Sequence, residues 1–588
     1  MTSPPPPTPL GAHAARTCPT RVQWDVLAPA ERAPTSAFQR LLRARGVAHE
    51  EAVGAALVAA HPGAVDAGAV GDRVDREGTT VAAMDAGAPL ILRTRLPWDV
   101  AGRRIGEADL LVRVGDAPIG GRWRYAPVEV KLRRLLDADD AAAAADGLLP
   151  AGVQPLERLH VPAPEGCVPD GSGVGRSGIA EDLVQLAHYH RMLDALGRAA
   201  PGASGAIAGV IGGDGVVAWF RLDVERLTVA EDVDPDRRET ATERYDREFA
   251  HRLAVADAAR RHRDDPSVPL LEEPVRIGDC PDCPWRDHCD ALRSASGDVS
   301  VLPRATRTGA WPALRAAGLG TLTVLAAHDP AAGIPGLRDG VAATLVDEAR
   351  ARVAPAFAHR RRGVEGIVVP RADVEVDVDM ENPGPGDGCA AYLWGALVTD
   401  RGGTGLAEEG YRPMVAWDAD TAAAGASAFE AFWTWLTALR AACAAAGASL
   451  KLYCWHQQAE VGCLRDGARL LAAVGGPDRS AEVEALVASD DWVDLKLVWQ
   501  RQVVTGHGAG LKTVAAGLGF AWRDDDAGGA QSIVWWSHAV DPTRSEAERA
   551  TWRERILAYN DDDVRATLHV REWLAGARDL PPAPVPAR

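Results

Sequence analysis

Two short stretches carry the residue types that phosphate-ester hydrolysis needs. In APVEVKL, Glu129 and Lys131 are two apart, so on a strand both side chains point to one face. Asp109, in GEADLLV, lies twenty residues earlier, and two strands joined by a loop would set it beside Glu129. Two carboxylates can hold Mg²⁺ or Mn²⁺. An ion so held polarises a phosphoryl oxygen and lowers the pKa of a bound water. A neighbouring ammonium orients that water and offsets developing negative charge, as a compact point charge that a forked guanidinium does not replace. Of the 64 basic residues only Lys131, Lys451, Lys496 and Lys512 are lysines, so a lysine retained in VEVK needs a chemical reason. The rival reading of VEVK is a surface strand with a Glu–Lys pair. Against it stand His49 and Glu50 in GVAHEEA, where a helix could supply a third ligand. Gln185 and Tyr189 in VQLAHYH add a pair four apart on one helix face.

The second stretch is VDVDMEN, which puts Asp379 and Glu381 on one face of a strand. Far downstream, YNDDD puts Tyr559 and Asp563 on one face of a helix. Between them, LYCWHQQAE sets His456 and Glu460 at a strand-to-helix transition. Acids from a first strand and a last helix suit a two-metal phosphodiester site, whose ions stand about 4 Å apart. The rival reading is an edge strand and a solvated acidic turn.

A third cluster is CPDCPWRDHC, with Cys280, Cys283 and Cys289 at tight spacing. Thiolates so spaced are ligands for zinc or an iron–sulfur cluster, and both normally take four. Cys18, in RTCPTRVQWD, is the first candidate for the fourth, Cys167 the second, and His288 would favour zinc. Cys389, Cys443, Cys454 and Cys463 sit in apolar stretches and read as core.

The elements that must position these residues divide the chain. At 588 residues it exceeds a single hydrophobic core. Breaks fall at residues 137–180, 294–308 and 355–366, and Pro-rich segments at both ends read as disordered tails. Residues 12–293 mix helices with strands (PLILRTRLP, EADLLVRV, APVEVKL) and a hairpin turning at GGDG. Residues 305–355 hold two or three short helices around AAGLGTLTVLA. Residues 365–580 open with strands and close on helices, the pattern of an α/β layered domain. The fold class is therefore multidomain α/β.

A net charge of −18 speaks against a purely electrostatic nucleic-acid binder and leaves an enzyme open. No secretory signal and no apolar run of membrane-spanning length is evident, so a cytoplasmic protein without a membrane partner is expected. Nine cysteines in such a chain argue against a disulfide framework. No Walker A motif occurs, so any helicase motor would be a separate partner chain.

The order His49/Glu50, Asp109, Glu129-Val130-Lys131, Gln185…Tyr189 resembles the PD-(D/E)XK nuclease superfamily, in its RecB-type branch. An upstream Cys18 closed by Cys280, Cys283 and Cys289 is similar to the iron–sulfur members of that branch, which implies a [4Fe–4S] cluster, with zinc as the alternative. AAGLGTLTVLA resembles a helix-hairpin-helix. Asp379 and Glu381, then Glu460, then Tyr559 and Asp563 resemble the ribonuclease H-like 3′–5′ exonucleases of the DEDD type, with Glu460 where that family usually has Asp. The whole arrangement resembles a bacterial RecB-like nuclease family. It implies Mg²⁺- or Mn²⁺-dependent hydrolysis of DNA, single-stranded or with free ends, RNA not being excluded. Asp109, Glu129, Asp379, Glu381, Glu460 and Asp563 would be the metal ligands, and Tyr559 would orient the attacking water. The alternative function is a nucleic-acid-binding protein in which one or both centres are inactive.

Overall fold

A computed structural model of the chain describes residues 8–136, 148–159, 166–168, 174, 178–200, 205–228, 237–384, 390–526 and 528–584. Two compact units result: Gln39–Ala291 with Met1–Thr35, and Leu292–Arg588 with Ser36–Phe38. The architecture is α/β, with mixed sheets and many helices.

The first unit is built on a seven-stranded mixed sheet in the order 65–66, 90–92, 110–119, 122–130, 207–211, 216–221, 153–155. Strands Leu110–Ile119 and Arg122–Val130 run antiparallel with Leu110 opposite Val128, which sets Asp109 across from Glu129. Alternation divides the apolar residues between two faces. Leu111 and Tyr125 join one cluster with Leu183, Leu186 and Met192 of the helix Ile179–Ala195. Leu110, Val112 and Val128 join the other with Val53 and Leu57 of the helix Ala37–Ala60. Residues 1–7 of the Pro-rich start lie outside the described residues, and the chain that follows is tied down. Leu10 donates its N–H to Arg103 and accepts from Ile105, and Ala12 and Ala15 are buried. Most of the break at 137–180 lies outside the described residues.

In the second unit, helices Pro303–Arg307, Trp311–Ala316, Leu322–Ala327 and Asp339–Val353 surround a core of Leu314, Leu325, Leu345 and Val346. Gly318, at φ +74°, makes the turn between the second and third of these helices. A five-stranded sheet follows in the order 410–415, 393–400, 374–381, 450–454, 492–494. Its central strand, Val374–Glu381, is antiparallel to 393–400 and parallel to 450–454. Val374, Val376 and Val378 face a core with Phe429, Phe432 and Leu464. The intervening residues, Glu375, Asp377, Asp379 and Glu381, are all acids, and they share the opposite face. That face is covered by the last helix, Glu546–Gly576, which a Ser545–Glu548 capping box starts.

One buried cation joins the two. Arg571, fully buried, donates Nη2 and Nε to Asp377 at 2.6 and 3.1 Å and Nη1 to Glu375. Its guanidinium lies 4.4 Å from the Tyr453 ring centroid. Glu375 also accepts from Arg371 Nε at 2.8 Å. The C-terminal residues are likewise tied down, since Arg360 donates its N–H to Pro581 at 2.8 Å.

Removing one partner of a buried ion pair leaves an uncompensated charge and costs about 3–5 kcal/mol. Arg571→Ala should therefore lower the stability of the second unit by that amount in chemical denaturation. A loss below about 1 kcal/mol would show that the pair does not hold helix to strand.

Candidate metal-dependent active sites

At the end of the central strand, Asp379 and Glu381 meet Asp563 of the last helix. One carboxylate oxygen from each lies within 4.8 Å of the others, and among the described residues no other acids, histidines or cysteines form such a group. Asp379 is half-buried; Glu381 and Asp563 are buried. Each is held from its helix or strand by directed donors. Asn560 Nδ2 donates to Asp379 at 2.9 Å, and Tyr411 OH in turn donates to Asn560 Oδ1 at 2.8 Å. Trp522 Nε1 donates to Asp563 at 2.6 Å.

Burial pushes all three carboxyls above their ordinary range, Glu381 to about 8, and their mutual repulsion pushes Asp379 further up. Three hard oxygen donors that resist ionising together are the donor set a divalent Mg²⁺ or Mn²⁺ suits. Lys512 supplies part of the counter-charge. Its Nζ is buried without a hydrogen-bond partner and lies 4.3 Å from the Tyr559 ring centroid. Burial lowers its pKa, against the pull of Asp563, Glu381 and Asp379.

Glu460 is not one of the three acids of this group. It lies buried in the first turn of the helix Gln457–Ala473, with Oε2 unpartnered, and burial pushes its pKa to about 7. Its charge nonetheless acts on Asp379. His456 is the exposed residue capping the same helix, with no side-chain capping bond.

In the first unit the residues of the ExK stretch also converge. Lys131 Nζ donates to Glu129 Oε1 at 2.9 Å, and Gln185 Nε2 donates to the same oxygen at 2.7 Å. Glu129 Oε2 is buried and unpartnered. Asp109 Oδ2 accepts from the N–H of Val130 at 2.8 Å. Tyr189 lies 3.3 Å from Gln185 Nε2 and donates to the Glu107 carbonyl at 2.8 Å. Burial raises Asp109 to about 6 and Glu129 to about 7, and the Asp109 charge adds to the second shift. Glu50, Asp109 and Val130 line a cavity of about 530 Å³. His49 is not among the residues lining it; its Nε2 is buried without a partner.

The sequence reading missed Asp182, Lys512, Asn560 and Trp522. Asp182 shares Lys131 with Glu129, 3.6 Å from Nζ, and also pairs with Arg133. Lys512 carried the same signal as Lys131, a lysine in an arginine-biased chain. Asn560 and Trp522 carried none.

Cys18 caps the helix Pro19–Leu27 and, with Cys280, acts electrostatically on Cys283. Cys289 Sγ accepts from Trp24 Nε1 at 3.3 Å. The four sulfurs do not supply three atoms mutually within 4.8 Å, whereas tetrahedral zinc with bonds of about 2.3 Å sets its sulfurs about 3.8 Å apart. His288 packs edge-on against Trp24 at 5.0 Å, and Cys167 is buried in the sheet core. The start of the chain is docked by more than cysteines. Trp24, Trp285 and Cys289 form an apolar cluster, and Trp285 Nε1 donates to Asp25 at 3.0 Å. Cys443 and Cys454 are buried thiols; Cys463 is buried but disulfide-bonded, and Cys389 lies outside the described residues. Among the described residues, no helix is long and apolar enough to cross a membrane.

A family model described as the RNase H superfamily matches residues 474–575, a stretch that contains Lys512, Tyr559 and Asp563. No curated protein and no solved structure matches the chain.

Glu381 and Glu460 hold protons in the folded state that the unfolded chain, with glutamates near 4.5, has released. The stability they contribute is complete below that value and is lost as pH rises toward 7 and 8. In chelator, the melting temperature of the second unit should fall between pH 5 and 8. Millimolar Mg²⁺ or Mn²⁺ should reverse the fall increasingly with pH, since the ion binds the deprotonated acids. A cation effect independent of pH would contradict the assignment.

Proposed function

We propose that this protein is a metal-dependent nuclease that hydrolyses phosphodiester bonds of DNA, with centres at Asp379/Glu381/Asp563 and at Asp109/Glu129/Lys131. The observation that carries the reading is the gathering of three ionisation-resistant carboxylates, two of them buried, on a strand and a helix, with Asp563 of the helix inside the ribonuclease H superfamily match. Asp379, Glu381 and Asp563 would hold Mg²⁺ or Mn²⁺, which supplies Lewis-acid polarisation of the phosphate and an acidified water. Tyr559, beside Asp563, orients the attacking water, and Lys512 offsets negative charge. Glu460 supports the group electrostatically. In the other centre, Glu129 and Asp109 would be the ligands, with Glu50 on the cavity wall as the third. Lys131, steadied by Glu129 and Asp182, presents its ammonium to the phosphate, and Gln185 fixes the Glu129 carboxylate.

A second reading, a nucleic-acid-binding protein with an inactive ribonuclease H-like centre, is favoured by one observation, the position of Glu460 outside the acid group. The two readings separate in a single assay on labelled single-stranded DNA with Mn²⁺. Asp379→Ala and Lys131→Ala should each remove part of the cleavage, and the double variant should fall at least a thousandfold. Lys131→Arg should behave as Lys131→Ala. Equal rates for the parent and the double variant would sink the nuclease reading.

Cys18, Cys280, Cys283 and Cys289 are proposed to hold a [4Fe–4S] cluster, a reading supported by their spacing in the sequence and by the action of Cys18 and Cys280 on Cys283. Protein purified without oxygen should be brown, with about four irons per chain, and Cys18→Ala should lose the colour. The Trp24–Trp285 contacts should keep that variant folded. One zinc per chain and no iron would overturn this assignment.

A further inference from the structure

In the second unit, a cavity of about 270 Å³ opens between the short-helix cluster and the ribonuclease H-like domain. Arg304, Arg307, Arg361 and Lys496 line it, together with the loop Thr505–Gly510 and a single acid, Glu348. That acid is already engaged: Glu348 Oε1 accepts from Arg304 Nε at 2.7 Å. Among the described residues, Arg307, Arg361 and Lys496 make no ion pair. Arg361 Nε is buried without a hydrogen-bond partner. Four cations against one carboxylate leave an excess of three positive charges around one concavity, in a chain whose net charge is −18. Clustered, partly buried cations repel one another and resist desolvation unless an anion joins them. Burial accordingly lowers Arg361 and Lys496, and the neighbouring Arg304 and Arg307 push in the same direction.

The loop packs closely on the helix Asp339–Val353 beside the cavity. Gly506 is at φ +69° and Gly508 at φ +94°, conformations that L side chains rarely adopt. A Cβ at Gly506 would also run into the Glu348 carbonyl. Lys496 also stands in the field of Asp494 and Glu460.

We propose that this cavity is a phosphate-binding subsite for the backbone of the nucleic-acid strand that the neighbouring centre cleaves, with Arg307, Arg361 and Lys496 as its ligands. The proposal rests on the nuclease reading for the identity of the strand, but not for the anion site itself. A cation that contacts a backbone phosphate contributes about one to the slope of log K against log salt and is indifferent to sequence. Each lost charge-assisted contact weakens binding roughly tenfold at low salt.

The test measures binding of a labelled single-stranded oligonucleotide, in chelator, by full-length protein across a salt series. Arg307→Ala and Arg361→Gln should each weaken binding roughly tenfold and lower the salt slope by about one, while Arg401→Ala, an exposed arginine outside the cavity, should do neither. In a second arm, inorganic phosphate should raise the melting temperature of the parent more than that of either cavity variant. If the parent does not bind the strand but shows the differential phosphate shift, the anion site stands, and the strand, with the nuclease reading, falls. If folded Arg307→Ala and Arg361→Gln match the parent in both arms, the subsite is wrong whatever the cleavage assays give.

Discussion

Everything at the ribonuclease H-like centre depends on Arg571 reaching across to Asp377 and Glu375. A strand and a helix have different repeats, and packing alone permits sliding by a turn. Here two rulers coincide. Asp563 and Arg571 are eight residues apart, about 12 Å along a helix. Asp377 and Glu381 are four apart, about 13 Å along a strand. Fixing Arg571 on Asp377 therefore places Asp563 against the acidic end of the strand. The interaction is directional, bidentate and buried, so it specifies register where apolar contacts would only favour proximity.

The two centres share an economy of residue type. Each sets carboxylates at a strand end, raises them by burial, and places a lysine against them. Lys131 stands 2.9 Å from Glu129, and Lys512 lies over Tyr559 within the field of Asp563, Glu381 and Asp379. Lys496 stands in the field of Asp494 and Glu460. Only Lys451, whose Nζ donates to the Asp490 carbonyl, serves no acid group. In a genome that writes arginine by default, the ammonium is kept where a small, desolvatable charge must sit among carboxylates.

Much of this was legible in the sequence because it is periodic. Alternation in VEVDVDME separates valines from acids, and both faces are occupied as that pattern requires. ExK spacing puts Glu129 and Lys131 on one side, and Gln185 and Tyr189 share a helix face. What escaped is what depends on register between distant elements. Glu460 follows the expected strand and has the expected charge; it is not one of the three acids within 4.8 Å, but its charge acts on Asp379. Asp182 and Asn560 look like ordinary helix polar residues until the fold brings them to Lys131 and Asp379. Composition measures the cost of ordering a segment but not the surface waiting to receive it: Leu10 and Leu580 find such surfaces, whereas residues 1–7 and 585–588 of the Pro-rich ends lie outside the described residues.

The contacts between Trp24 and Cys289, and between Asp25 and Trp285, have a topological meaning. They join the beginning of the first unit to its end. A unit whose entrance and exit meet is a closed circuit of chain: it can be carried between other sequences as a cassette, and its interior need not be broken for it to be inserted, moved or duplicated.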